Sequence, residues 1–277
     1  MRLDVKVSLD PTLGCGQAHR WIKKGNVWEG VLGDRIVTLE ERDGHLLCGG
    51  TDDKRMMLEY LRHEDDLDAI YEDISKRDPF VRELASLCPG MRILKQDPWE
   101  CIATYLLATH ANVKRIAAMT DAVCRTFGKD LGGRHSFPAA KDIADRRHMI
   151  DECKLGFREG RFIELAEKVA DGVFVPDDLS KMGYRECFDT LNGLKGVGSK
   201  VADCVSLFAY GHLNAFPIDS RIERVLRERY GVSGNRGELS AFASGRFGRY
   251  AGYAQELLYH SGIILGSHAQ VGGSQPI

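Results

Sequence analysis

A single lysine opens an apolar segment in the last third of the chain, and its setting favours covalent chemistry. The run from Gly196 to Tyr210 begins with a glycine-rich turn and is then apolar on nearly every side. This pattern predicts a buried helix with Lys200 in its first turn and with Cys204 and Phe208 on the same stripe. Because a desolvated lysine loses basicity, its amine becomes a nucleophile that can form a Schiff base.

A carboxylate follows this lysine at a spacing that lets the two groups meet. Asp219 precedes the run Ser-Arg-Ile-Glu-Arg-Val-Leu and is the expected N-cap of a second helix. A helix from Lys200 to Tyr210 rises roughly 16 Å, and residues 211–218 can span about 26 Å when extended. The chain can therefore return Asp219 to the level of the amine. The same spacing is equally compatible with a plain helix cap and a surface lysine.

Five short motifs occur in order along the chain. They lie at residues 14–21 (Gly-Cys-Gly-Gln-Ala-His-Arg-Trp), 96–101 (Gln-Asp-Pro-Trp-Glu-Cys), 182–185 (Met-Gly-Tyr-Arg), 194–219 and 250–255 (Tyr-Ala-Gly-Tyr-Ala-Gln). Together they resemble the eukaryotic-type 8-oxoguanine DNA glycosylase/lyase family, within the helix-hairpin-helix Gly/Pro-Asp DNA glycosylase superfamily. Each motif is weak alone, but five in family order, spread over about residues 14 to 260, are specific.

The resemblance implies catalytic roles for Lys200 and Asp219. The target nucleotide is flipped out of the duplex, and the lysine attacks the anomeric carbon of its sugar while the damaged base departs. The aspartate stabilises positive charge on the sugar and relays protons, and the Schiff base then permits β-elimination. We expect no cofactor and no catalytic metal. Burial lowers the basicity of the lysine and the carboxylate raises it, and the sequence leaves that balance open.

The resemblance also implies a base pocket, formed by Gly16, Cys204, Phe208, Gln255 and Tyr259. The Gly16 carbonyl matches the acceptor for the N7 hydrogen, which 8-oxoguanine has and guanine lacks. Cys204 and Tyr259 match the two residues that sandwich the base, with tyrosine in the usual place of phenylalanine. Gln255 matches the residue at the pairing edge, and Phe208 lies alongside. Without the family, the cysteine indicates a core thiol and the glutamine a surface amide.

Four residues match positions around the base opposite the lesion: His110, Arg115, Tyr184 and Arg185. The resemblance implies that Tyr184 is a wedge beside this orphan base and that the two arginines hydrogen-bond to an orphan cytosine. His110 replaces an asparagine that fills the vacated stack. A flat histidine keeps this filling function, although the change weakens the argument for a cytosine preference.

Four further residues match contacts to DNA phosphates: Lys195, Gly196, Gly198 and Arg221. The backbone N–H groups of 196–198 can face a phosphate oxygen, and the hairpin carbonyls can hold a cation. Lys195 departs from a common proline, and Arg221 departs from a common histidine. Both changes place a cation near phosphate.

The composition limits which binding partners the protein can have. The net charge of −2 is unusual for a DNA-binding protein, but the charges are segregated, with seven arginines and three acids in residues 221–250. The eight cysteines show no zinc or iron–sulfur spacing, and no apolar run approaches 18 residues. We therefore expect an intracellular monomer in the cytoplasm and nucleoid, or in the nucleus of a eukaryote. Its expected partner is double-stranded DNA containing 8-oxoguanine, with no membrane.

The predicted fold is α+β, with a small antiparallel sheet domain packed on a larger helical domain. Residues 27–48 alternate in short apolar runs separated by Gly33-Asp34 and Asp43-Gly44, which indicates hairpins. Asp78-Pro79 and Asp97-Pro98 indicate helix starts. We predict a sheet domain with a following helix at 1–90, a helix-hairpin-helix domain at 91–265 and a disordered tail at 266–277.

Three other classes compete with this interpretation. Another glycosylase of the superfamily could remove alkylated bases or adenine, although Lys200 is absent from monofunctional alkyl-base enzymes and Gly16 favours 8-oxoguanine. A non-catalytic helix-hairpin-helix protein would not need Lys200, Asp219, Gln255 and Cys204 together. A lysine-dependent aldolase would need a barrel with more strands than this chain predicts.

Overall fold

The computed structural model describes residues 1–265 and has the predicted α+β architecture, so the predicted tail at 266–277 lies outside the described residues. One five-stranded antiparallel sheet has the order β1-β5-β4-β3-β2. Its strands are β1 Arg2–Leu3, β2 Ile22–Lys24, β3 Val27–Leu32, β4 Arg35–Arg42 and β5 His45–Gly49.

The two predicted hairpins of the sheet are confirmed. Turns at 33–34 and 43–44 join β3 to β4 and β4 to β5, with Val31 opposite Ile36 and Glu41 opposite Leu46. The outer strands β1 and β2 were not predicted, because two or three residues are too few to show a period of two.

Helices make up most of the rest of the described chain. They are α1 Leu9–Leu13, α2 Lys54–Tyr60, α3 Leu67–Arg77, α4 Pro79–Leu87, α5 Pro98–Leu107, α6 Val113–Phe127, α7 Ala140–Asp145, α8 Glu159–Ala170, α9 Tyr184–Asn192, α10 Ser199–Phe208, α11 Ser220–Tyr230, α12 Arg236–Phe247 and α13 Ala251–Tyr259. Short 3-10 helices occupy Arg147–Cys153, Gly156–Arg158, Pro176–Lys181 and Gly248–Tyr250. Across residues 1–265, every helix is too short or too polar to cross a lipid bilayer.

The helix starts at both Asp-Pro pairs are confirmed and have a common cause. The Asp78 side chain accepts a hydrogen bond from the Val81 N–H at 2.8 Å, and Asp97 accepts one from the Glu100 N–H at 2.9 Å. In each case a proline takes the first helical position, where its missing N–H costs nothing. Such a cap stabilises a helix by about 1 kcal/mol.

Two clusters of buried side chains hold the elements together. The smaller packs the sheet against α1 and α2, and includes a hydrogen bond of 2.7 Å from the Trp21 indole to the Tyr60 hydroxyl. The larger contains side chains from α3 through α13. The clusters do not divide at residue 90, because Leu94 packs with the sheet whereas α3 and α4 pack with the helical cluster.

Candidate active site

A cavity of about 210 Å³ lies where the loop at 14–21 meets α5, α10, α13 and the start of α11. Eight of the predicted site residues line it: Gly16, Lys200, Cys204, Phe208, Asp219, Arg221, Gln255 and Tyr259. Both predicted catalytic residues and all five predicted base-pocket residues are therefore brought together, although they come from four separate parts of the chain.

Lys200 lies in the first turn of α10, with its amine 5.3 Å from the centre of the Tyr105 ring. Burial lowers the pKa of this amine, whereas the interactions with Cys204 and Asp219 raise it, and the raising effects prevail. Burial also raises the pKa of the Cys204 thiol to about 11, so the thiol is neutral at pH 7. Because the pKa of Lys200 is raised, the resting lysine is a cation that must lose a proton before it attacks.

Asp219 caps α11, as predicted. Its Oδ1 accepts hydrogen bonds from the N–H groups of Arg221 at 3.0 Å and Ile222 at 2.9 Å. The preceding segment, residues 215–218, is buried and sets the position of the cap. Because both cap bonds use Oδ1, the second oxygen is left for groups inside the cavity.

The pocket walls combine aromatic surface with an unsatisfied amide. Phe208 is buried and stacks on Tyr105, with ring centres 5.7 Å apart. Gln255 is buried as well, and its Oε1 has no hydrogen-bond partner. A buried acceptor without a partner costs roughly 1–3 kcal/mol, which a ligand that donates a hydrogen bond can recover. Tyr259 is half-buried, and the Arg221 guanidinium lies 4.4 Å from its ring centre.

Gly16 is positioned by its neighbour Gln17. The amide of Gln17 donates to the carbonyls of Thr12 at 2.9 Å and Arg92 at 2.8 Å, and accepts from the Leu94 N–H at 2.8 Å. Gly16 itself has a φ of +88°, a left-handed conformation that favours glycine. A Cβ there would lie 3.2 Å from a methyl of Val113, so any side chain would meet the cavity wall.

The four residues predicted at the orphan base lie in two separate places in the structure. His110 is exposed, and its ring centre lies 6.4 Å from that of Phe157. Arg115 is also exposed and donates to the Lys154 carbonyl at 2.6 Å, three residues before Phe157. The Tyr184 hydroxyl instead donates to Asp203, and the Tyr184 ring packs against Phe188 and His212.

Arg185, the fourth of these residues, pairs with Asp189 on its own helix at 2.9 Å. The structure therefore does not bring Tyr184 and Arg185 to His110 and Arg115. The aromatic side chain beside His110 is Phe157, which is 59% exposed although it is a large apolar residue.

Sequence reasoning missed Phe157, although the chain carries a usable signal for it. Gly156-Phe157-Arg158 is a second Gly-aromatic-Arg tripeptide, 27 residues before the one at Gly183. Arg158 is buried, its guanidinium lies 4.3 Å from the Phe157 ring centre, and it donates to the Thr109 carbonyl at 3.0 Å. This arginine fixes the aromatic ring and the loop before α6 relative to each other.

The hairpin residues lie at the start of α10. Gly196 has a φ of +90°, and a Cβ there would lie 2.6 Å from the Arg161 side chain, so this turn requires glycine. Gly198 is the N-cap of α10. The exposed Lys195 forms an ion pair with Glu164 at 2.7 Å, which a phosphate would have to replace.

The arginines of residues 221–250 do not all face solvent. Arg236 is paired with the buried Asp203, and Arg246 is paired with the buried Asp78 at 2.8 Å. These two side chains join helices, so they are not available for phosphate. Arg221 is exposed and lies at the mouth of the cavity.

The cavity residues that were not predicted include Cys15, His19 and Glu256. Burial raises the pKa of the Glu256 carboxyl to about 7. Burial and the charge of Lys200 lower the pKa of His19 to about 4, and both of its ring nitrogens are buried without a partner. A signal existed for Glu256, since a carboxylate inside an otherwise apolar helix is rarely buried without a function.

Comparison with known proteins points to one family. Residues 2–102 match the family described as "8-oxoguanine DNA glycosylase, N-terminal domain". The chain is 29% identical to "N-glycosylase/DNA lyase OGG1" of Arabidopsis thaliana, over 98% of this chain and 82% of that protein.

Two solved structures are similar as well. "MBOgg1 in complex with low affinity DNA ligand" has a TM-score of 0.89 and 28% identity, covering 96% of this chain and 95% of its own. The Clostridium acetobutylicum 8-oxoguanine glycosylase/lyase, in complex with double-stranded DNA containing cytosine opposite 8-oxoG, has a TM-score of 0.88. It covers 95% of this chain and 93% of its own, and its 23% identity supports the fold alone.

Proposed function

This chain belongs to the 8-oxoguanine DNA glycosylase family of the helix-hairpin-helix superfamily, and from that premise we propose its reaction. It flips 8-oxoguanine out of duplex DNA, preferably opposite cytosine, and excises it through a lysine Schiff base that then undergoes β-elimination. One observation carries the proposal: Lys200, Asp219 and the unsatisfied amide of Gln255 line a single cavity.

The chemistry begins with deprotonation of Lys200. The Asp219 oxygen outside the helix cap would accept this proton or relay it. The lone pair of the amine then forms a bond to C1′, and the bond between C1′ and the base breaks, with its electron pair leaving on the base. The Asp219 charge stabilises the positive charge that develops on the sugar.

The lysine remains bound to the sugar as the base departs. The nitrogen then loses one of its two protons, and its lone pair forms the C=N bond as the bond between C1′ and the ring oxygen breaks. The ring oxygen keeps that electron pair and takes up a proton, which leaves a protonated Schiff base. Removal of a proton from C2′ then expels the 3′ phosphate, which cuts the strand. Hydrolysis of the Schiff base returns Lys200 for another cycle.

Base recognition follows from the pocket walls. The Gly16 carbonyl accepts the N7 hydrogen of 8-oxoguanine, and Gln255 faces the pairing edge with its free oxygen. Cys204 and Tyr259 lie on opposite faces of the base. Guanine places an acceptor at N7 instead of a donor, so it would leave two buried acceptors facing each other, which is strongly discriminating.

The duplex is held outside the cavity. We assign the wedge to Phe157, because it is the exposed ring beside His110, and the orphan-base contacts to His110 and Arg115. Lys195 and Arg221 contact phosphates, together with the backbone at 196–198. A cation bound by that hairpin stays a prediction, with the turn closed by the Val197 N–H donating to Leu194 at 3.0 Å.

The protein is expected to act as a monomer wherever the cell keeps its DNA. Borohydride trapping on a labelled duplex with one 8-oxoguanine opposite cytosine tests the mechanism. We expect a covalent adduct on this duplex, no adduct on undamaged DNA and none with Lys200→Gln, which should still bind the lesion. Normal turnover by Lys200→Gln would exclude the Schiff base, and binding without any wild-type adduct would exclude lyase chemistry.

A further inference from the structure

A thiol, a carboxyl and an imidazole meet beneath the floor of the cavity. They belong to Cys15, Glu256 and His260, and one donor atom from each lies within 4.8 Å of the other two. The His260 Nε2 is 3.8 Å from the Glu256 carboxylate. All three residues are more than nine-tenths buried, with exposed fractions of 7%, 6% and 7%.

The backbone holds these donors in place. Glu256 and His260 are four residues apart at the end of α13, so they lie one above the other on the same face. The His260 N–H donates to the Glu256 carbonyl at 3.1 Å, which continues the helix through this pair. Cys15 comes from the loop that Gln17 anchors, two residues away.

The imidazole is the observation that points to a ligand. His260 Nε2 is inaccessible to solvent and has no hydrogen-bond partner, although it faces a carboxylate and a thiol. A buried nitrogen left unpaired costs roughly 1–3 kcal/mol. The Lys200–Asp219 chemistry assigns no role to this nitrogen, because His260 does not line the cavity.

We propose that Cys15, Glu256 and His260 bind a Zn²⁺-type divalent ion. A sulfur, an imidazole nitrogen and a carboxylate oxygen form a typical zinc ligand set, and three protein ligands leave the fourth tetrahedral position open. A thiolate and a carboxylate together neutralise the two positive charges, so the buried site would carry no net charge. Sequence spacing did not predict this site, because Cys15 lies about 240 residues before the helical pair.

The open position would face the base cavity, since Cys15 and Glu256 line it and His260 lies behind them. The ion would draw both side chains away from the cavity and so change the shape of the wall against which the base must fit. Metal binding is therefore expected to slow base excision, which would make the site an inhibitory one. The site itself does not depend on the proposed reaction.

Cobalt titration of metal-free, untagged protein tests the site without DNA. We expect one Co²⁺ per chain, with visible bands of a tetrahedral ion and a thiolate-to-cobalt charge-transfer band. Cys15→Ser should abolish the charge-transfer band, and His260→Gln should weaken binding about tenfold or more. Cys48→Ser is the matched control, because Cys48 is a buried thiol in the sheet and should leave the spectrum unchanged.

Zn²⁺ should displace the cobalt and raise the melting temperature of the wild type, and the same shift should be absent in Cys15→Ser and His260→Gln. Circular dichroism establishes that each variant is folded. Glu256→Gln is a third ligand variant, which removes the carboxylate with little change in the shape of the side chain. Equal cobalt binding by the wild type and all three ligand variants would place the ion elsewhere and overturn the proposal. A folded wild type that binds no cobalt would also overturn it and would identify the cluster as an internal polar network.

Discussion

The hydroxyl of Tyr184 donates a hydrogen bond of 2.6 Å to Asp203, a buried carboxylate on the same helix as Lys200. Arg236 contacts the second oxygen of this carboxylate. The three side chains join α9, α10 and α12 around the helix that carries the lysine. Tyr184 is therefore a structural tether of the lysine helix, whereas Phe157 is the exposed ring beside His110.

Phe157→Ala and Tyr184→Phe should separate these two roles. Loss of the Phe157 ring removes stacking worth about 1–3 kcal/mol, so excision of 8-oxoguanine from duplex should slow about tenfold with stability unchanged. Tyr184→Phe leaves the Asp203 carboxylate without one donor and should reduce the free energy of unfolding by about 1–2 kcal/mol, with nearly normal excision. Single-turnover kinetics measure the excision rate of each variant, and urea unfolding measures its free energy of unfolding. Normal excision by Phe157→Ala would contradict the assignment of the wedge to Phe157.

Asp219→Asn should slow base release and move its pH dependence. The amine attacks only when neutral, so the rate rises with pH until the pKa of Lys200 is reached. Because the Asp219 charge raises that pKa, its removal lowers it, and the rising limb should shift to lower pH. Single-turnover rates between about pH 7 and 11 measure the shift.

The asparagine keeps the helix cap, since its side-chain oxygen can still accept from Arg221 and Ile222. Asp219→Ala is the comparison: it should lose the same charge and, in addition, about 1 kcal/mol of stability from the missing cap. If the pH dependence of base release is the same in Asp219→Asn as in the wild type, Asp219 serves only as a helix cap.

Gly16→Ala should impair base excision more than strand cleavage. The new methyl would meet Val113 at the cavity wall and would require a left-handed backbone, at a cost of about 1–2 kcal/mol. An abasic duplex has no base to accommodate, so cleavage of that substrate should stay close to normal while 8-oxoguanine release falls about tenfold.

Gly25→Ala is the matched control for backbone strain. Gly25 also has a positive φ, of +62°, but a Cβ there would have open space around it. The Gly25→Ala variant should lose as much stability as Gly16→Ala but should release 8-oxoguanine at the normal rate. Equal losses on both substrates by Gly16→Ala would show that the change damages the site as a whole instead of blocking base entry.

His19 should contribute a loss of stability in mild acid. Burial lowers its folded-state pKa to about 4, from 6.5, whereas the unfolded chain keeps the ordinary value. Below pH 6.5 the unfolded state binds a proton at His19 that the folded state does not bind. The contribution of His19 to the free energy of unfolding is therefore lost as the pH falls from 6.5 to 4. The loss reaches at most about 3 kcal/mol.

His19→Phe keeps a ring beside Tyr105 and removes the titrating nitrogens, so its unfolding free energy should vary less over this pH range. Urea unfolding at several pH values measures both proteins. His148, which is exposed, supplies the control: His148→Phe should retain the wild-type slope. A His19→Phe slope equal to that of the wild type would assign the acid sensitivity to other groups.

Local signals account for what the sequence alone determined. The hairpin turns, the two Asp-Pro helix starts, Asp219 as a cap and Lys200 in the first turn of its helix all depend on residues within a few positions of one another. Turn chemistry, helix capping and hydrophobic periodicity act over that range, so they can be recognised in the sequence without knowledge of the fold. The order of five motifs then indicated the family.

Tertiary packing decided the rest, because it depends on segments that are distant in the chain. Two Gly-aromatic-Arg tripeptides look alike in sequence, and only the buried Asp203 beside Tyr184 and the exposed Phe157 beside His110 distinguish them. Packing likewise placed Arg236 and Arg246 on buried carboxylates. It also set the balance of burial and charge at Lys200, which no spacing could decide because each term varies with the distance between groups that only the fold brings together.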